Sequence, residues 1–138
     1  YLKNDLVNAV KHLEFALKYA ESNIEKATVH GEFIKMYNIV SDLNSSWRSG
    51  VLALKALKIN LISNITYFHL YLKLFQVNFQ LVRRNLNKVL SDPKIPKEEE
   101  VLAQELLLSL GDICYIRNKK AIAYNFFKSL ELTVSNGV

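Results

Sequence analysis

At 138 residues, half of them hydrophobic and 22% charged, the chain is one domain's worth of globular sequence, not a disordered tract. Four glycines and two prolines are too few for the many tight turns of an all-β protein, so long helices are expected. The net charge of +5 divides into about +2 in residues 1–69 (8 basic, 6 acidic) and +3 in 70–138 (10 basic, 7 acidic), which excludes a charged tail or a basic block.

Helical period runs through every segment. Leu6, Val10, Leu13, Leu17, Ala20 and Ile24 advance by alternating fours and threes, one apolar stripe of a first helix. A second is expected from about Glu32 to Trp47, with Phe33, Tyr37, Val40 and Trp47 on one side and His30-Gly31 before it. Ser49-Gly50 then breaks the pattern, and a third carries Val51, Leu54, Leu57 and Leu61. The fourth, about Thr66 to Leu90, is the longest, roughly 37 Å if unbroken. Its polar residues Asn64, His69, Lys73, Gln76, Gln80, Arg83 or Arg84, and Asn87 form one stripe, read as the wet side. Phe68, Leu72, Phe75 and Phe79 belong to a wide apolar face, so this helix is expected to be packed on both sides.

Both prolines fall in Ser91-Asp92-Pro93-Lys94-Ile95-Pro96, the one clear linker. Glu98, Glu99 and Glu100 follow in the first turn of helix five, where negative charge favours the positive end of the helix dipole. Helix five runs to about Arg117, Asn118 suits a left-handed C-terminal cap, and helix six starts near Lys119. Six helices with short connections imply antiparallel pairs, about 1–47, 49–90 and 97–134, within one domain over 1–138. The fold class expected is all-α, with these pairs stacked as a short α-solenoid. The chain begins on Tyr1, directly in a helical pattern, and reads as a segment of something longer.

Phrases recur on alternate helices, starting at Ala9, Ser49 and Ile122, intervals of 40 and 73. Small residues lie seven apart in the first two (Ala9 and Ala16, Ser49 and Ala56), where close approach of a partner helix needs small side chains. Leu110-Gly111-Asp112-Ile113-Cys114-Tyr115, followed by Ala121-Ile122-Ala123-Tyr124 and Phe126-Phe127, resembles a tetratricopeptide repeat. Leu110-Gly111 matches the Leu-Gly pair of that family's first helix, and Ala123 and Phe127 its small and aromatic positions. The resemblance implies a degenerate helical array of the kind found in eukaryotic scaffolds, including separases, cohesin loaders and proteasome lid subunits. Gly111, Ala123 and Phe127 are accordingly expected at helix crossings, Gly111 against helix six.

Chemistry of other kinds is scarce. Cys114 carries no cysteine-protease signature and reads as a buried small hydrophobe. His12, His30 and His69 lack a metal-ligand context, no phosphate-binding glycine motif occurs, and no cofactor or metal is expected. The chain is therefore not read as an enzyme. With one cysteine and no secretory hydrophobic region, a reducing intracellular location, cytoplasmic or nuclear, is expected, and the sequons at Asn44 and Asn64 stay unused. The apolar window from Leu61 to Val82 is long enough to span a bilayer but too polar to do so, so no membrane role is expected.

What remains is a scaffold that binds another protein or supports the rest of its own chain. The alternative is a nucleic-acid-associated or regulatory domain using Lys73, Arg83, Arg84 and Lys88 of helix four. Four charges over about four turns are dilute for phosphate binding, which needs several simultaneous contacts.

Overall fold

The computed structural model describes residues 2–61, 65–83, 97–117 and 119–136, and every regular element among them is a helix. The chain divides into two compact units, Tyr1–Leu61 and Ile62–Val138. Helices three and four, expected as a pair over 49–90, belong to different units.

In the first unit α1 spans Leu2–Tyr19, α2 Asn23–Ile39 and α3 Leu43–Ala56. The stripe of α1 is as expected: Leu6, Val10, Leu13 and Leu17 are half-buried on the side that meets α2. Ala9 is only half-buried and Ala16 exposed, so that small-residue pair makes no close crossing.

α2 begins nine residues before the expected Glu32, because Ser22 caps it. The Ser22 hydroxyl accepts from the Glu25 backbone N–H at 3.0 Å, and the Glu25 carboxylate accepts from the Ser22 N–H at 3.1 Å. That reciprocal box satisfies two end donors at once, so the helix starts there and carries Gly31 in its interior. α2 then closes on Ser41 in the left-handed region (φ 56), with Asp42 N–H on the Tyr37 carbonyl at 2.9 Å and Ser41 N–H on Asn38 at 3.1 Å.

Asp42 immediately caps α3, its carboxylate accepting from the Ser45 N–H at 3.1 Å and hydroxyl at 2.7 Å. α3 thus starts at Leu43, not Val51; Trp47 lies on α3 and Ser49-Gly50 in its middle. Gly50 does not break the helix. Ser46, Ser49, Gly50 and Ala53 form its buried small face, letting α2 come close enough for the Ser46 hydroxyl to donate to Asn38 Oδ1 at 2.7 Å. Ala27, Phe33, Ile34 and Leu54 fill the rest of this core. α3 ends on a second left-handed residue, Lys58 (φ 62), with Ile59 N–H on the Leu54 carbonyl at 2.8 Å.

The second unit contains α4 (Tyr67–Arg83), α5 (Glu98–Ser109), α6 (Gly111–Arg117) and α7 (Lys119–Asn136). Glu98, Glu99 and Glu100 occupy the first turn of α5, and Glu100 accepts from the Lys97 N–H at 3.1 Å. Helix five is in fact two helices, interrupted at Leu110. The element enclosed by neighbours is α7, which α4, α5 and α6 all contact; helix four is not packed on both sides. α5 and α7 are antiparallel: Gln104 donates to Ser129 at 2.6 Å, while three residues later the Leu107 carbonyl accepts from Asn125 at 2.7 Å. The core here is Ala103, Leu106, Leu107, Leu110, Ile113, Cys114, Ala121, Tyr124 and Val134, with Cys114 fully buried.

Gly111 does not mark a crossing. It is the first residue of α6, and a Cβ built there would meet nothing within 4 Å. Ala123 and Phe127 are only half-buried, because Ala121, Tyr124 and Asn125 hold the inward face of α7 instead. Gly111→Ala should therefore raise stability by about 0.5–1 kcal/mol through reduced unfolded-state entropy and better helix propensity. Urea denaturation of the two proteins checks this; a loss of stability would mean that the glycine is needed for contact.

Candidate functional site

α4 packs with the opposite face to the one its pattern suggests. Its most buried residues are Val77 and Lys73, with His69, Leu70, Gln80 and Leu81 half-buried beside them. The polar stripe is thus turned toward α7. An ion-pair cluster lies along it: the Lys73 ammonium is 2.7 Å from Glu131 Oε2, and Lys128 donates to the same oxygen at 2.8 Å. Lys73 also donates to Gln76 Oε1 at 3.3 Å. At the start of α4, the Lys120 ammonium sits 4.1 Å from the Tyr67 ring centroid. The pairs 67–120 and 73–131 advance together, so α4 and α7 run in the same direction.

The cluster is a charge-dense seam with little water around it. Side-chain exposure is 10% for Lys73, 18% for Glu131 and 19% for Lys128, two cations on one anion. Burial holds the Lys73 ammonium below its ordinary 10.5, against the pull of Glu131. Burial would raise the Glu131 carboxyl, but hydrogen bonds from Lys128 and Lys73 outweigh it and hold it below 4.5. The buried Tyr124 hydroxyl is pushed up, chiefly by burial.

The corollary lies on the other side of α4. Phe68 is 71% exposed, Tyr71 70%, Leu72 46%, Phe75 68%, Phe79 57% and Val82 87%. Burial of Phe68, Leu72, Phe75 and Phe79 was the sequence expectation, and the structure reverses it. On a helix of 3.6 residues per turn these six fall in one sector about 100° wide, and no charged residue lies among them. Gln76 and Arg83 border it on one side, Asn78 and Tyr67 on the other. Phe68, Leu72, Phe75, Phe79 and Val82 step by four, three, four and three, the spacing of a coiled-coil seam.

Of the basic residues expected to meet a partner, Lys73 is therefore consumed within the fold. Arg83 is exposed at the end of α4, and Arg84 and Lys88 lie outside the described residues. Among the described residues no group of His, Cys, Asp and Glu is placed to hold a metal ion. His30 is half-buried on α2, with a buried Nδ1 that has no hydrogen-bond partner, and burial depresses its pKa. No helix among them is long and apolar enough to cross a membrane. The sequence matches no family model, and no curated protein or solved structure matches it.

Proposed function

We propose that this chain is a non-enzymatic protein-binding helical module whose docking surface is the outer sector of α4. One observation carries the reading: six apolar side chains, four of them aromatic, stand together in solvent without a charge among them. Soluble proteins rarely leave such a patch open, and aromatic residues dominate the energetic centres of interfaces. A sector one helix wide and about 21 Å long fits a helix, an apolar ligand suited to such faces. The antiparallel order of α5 and α7, and the three-residue link between α2 and α3, support a scaffold of paired helices. In this reading the module works inside the cell, and the partner is another protein or further parts of the same chain. A nucleic-acid role through helix four would have to do without Lys73, which is spent on Glu131.

A fluorescent dye for exposed apolar surface tests the reading. The 138-residue chain should bind it, and Phe68→Glu with Phe75→Glu should abolish the signal while leaving the melting temperature unchanged. Phe15→Glu on α1, at an equally exposed ring, should leave most of it. A dye-silent monomer would show the sector covered, and the reading would fail.

A further inference from the structure

We propose that the outer sector of α4 is the interface for a second copy of this chain, the two α4 helices packing antiparallel. The proposal rests on the protein-docking reading above and names its partner. Area argues first. An aromatic side chain offers roughly 150–250 Å², so the four rings, each more than half exposed, with Leu72 and Val82 present on the order of 600–800 Å². That approaches the roughly 800 Å² per partner of a standard stable interface and exceeds the largest patch of a typical monomer.

Charge argues second. In the heptad defined by Phe68, Leu72, Phe75, Phe79 and Val82, the flanking positions are His69, Tyr71, Gln76, Asn78 and Arg83. These flanks decide partner choice in helix pairs through their charges. Here they carry no acidic residue and one permanent cation, at the end of the helix. A partner with a strongly charged flank would gain nothing from them; an identical face meets them without repulsion.

Register and direction follow. Packed antiparallel about a point between Leu72 and Phe75, Phe68 meets Phe79 of the second copy and Leu72 meets its Phe75, while Tyr71 faces Gln76 and Val82 reaches past the start of the second α4. The two Arg83 side chains then lie roughly 28 Å apart along the axis, beyond the Debye length of about 8–10 Å. A parallel pair would set them side by side. The ion-paired seam on α7 is on the opposite face and stays intact in the pair.

Sedimentation equilibrium of the 138-residue chain from micromolar to near-millimolar concentration is the test. The expected result is a monomer–dimer equilibrium whose dissociation constant rises on the order of 100-fold or more in Phe75→Glu and in Phe68→Glu. Phe15→Glu should leave it unchanged. A spin label on Thr66→Cys, with Cys114 too buried to react, should report about 22 Å or more between copies. A much shorter distance overturns the antiparallel arrangement, and a dimer that survives Phe75→Glu overturns the interface. A monomer that still binds the apolar dye overturns the second copy but leaves the docking reading standing. A dye-silent monomer overturns both.

Discussion

Leu107→Ala should destabilise the chain by about 2–5 kcal/mol, the cost of lost transfer energy plus an unfilled cavity. Leu107 is fully buried on α5, where it faces α7, and its neighbours cannot easily collapse into the gap. Its own carbonyl anchors Asn125 at 2.7 Å, and that side chain is itself only 7% exposed. The backbone around position 107 is therefore held from both helices, and relaxation would have to break that bond. Leu108→Ala, next in sequence but 68% exposed, should change stability by less than about 0.5 kcal/mol. Urea denaturation of the two variants makes the comparison. Equal losses would mean that α5 is turned the wrong way. A loss of several kcal/mol is a large fraction of the roughly 5–15 kcal/mol that holds a typical domain together.

Glu131→Gln should be nearly as costly, about 2–4 kcal/mol at neutral pH. It leaves Lys73 and Lys128 facing each other without their shared carboxylate. Removing one partner of a buried pair is usually worth about 3–5 kcal/mol, and the residual exposure of Glu131 and Lys128 lowers the figure here. Lys128→Ala should cost much less, because Glu131 keeps Lys73. Lys73→Met, Lys128→Met and Glu131→Leu combined should recover most of the loss, since three apolar groups have no charge desolvation to offset.

The pH dependence has a definite sign. Glu131 titrates below 4.5 in the fold, so its stabilisation is complete above pH 4.5 and is lost as the pH falls through the depressed folded value. The margin of wild type over Glu131→Gln should shrink over that acid range and vanish below it. Lys73 acts oppositely: its folded value lies below 10.5, so its charge costs stability at neutral pH, a cost relieved only on the alkaline side. A margin independent of pH would remove the ion pair as the origin of the effect.

Two features of the fold were hidden for a local reason. The turns after α2 and α3 use Ser41 and Lys58 in the left-handed region, although a non-glycine residue there costs about 1–2 kcal/mol. A search for glycine breaks therefore placed helix ends at Gly31 and Gly50, both of which are helix interior. The Ser22–Glu25 box was the readable signal, a serine with a glutamate three residues on.

By itself the sequence determined the all-helical character, the apolar stripe of α1, the acidic first turn of α5 and the burial of Cys114. Each follows from local periodicity, dipole complementarity or side-chain polarity. Only the tertiary structure decided which face of α4 turns inward. Periodicity separates the apolar side of a helix from its polar side, but it does not say what stands opposite. For α4 that is Glu131, on a helix far along the chain, whose carboxylate offsets the cost of taking Lys73 out of water. The aromatic sector was legible as a stripe; its exposure, and with it the candidate docking surface, was decided by which side of α4 meets α7.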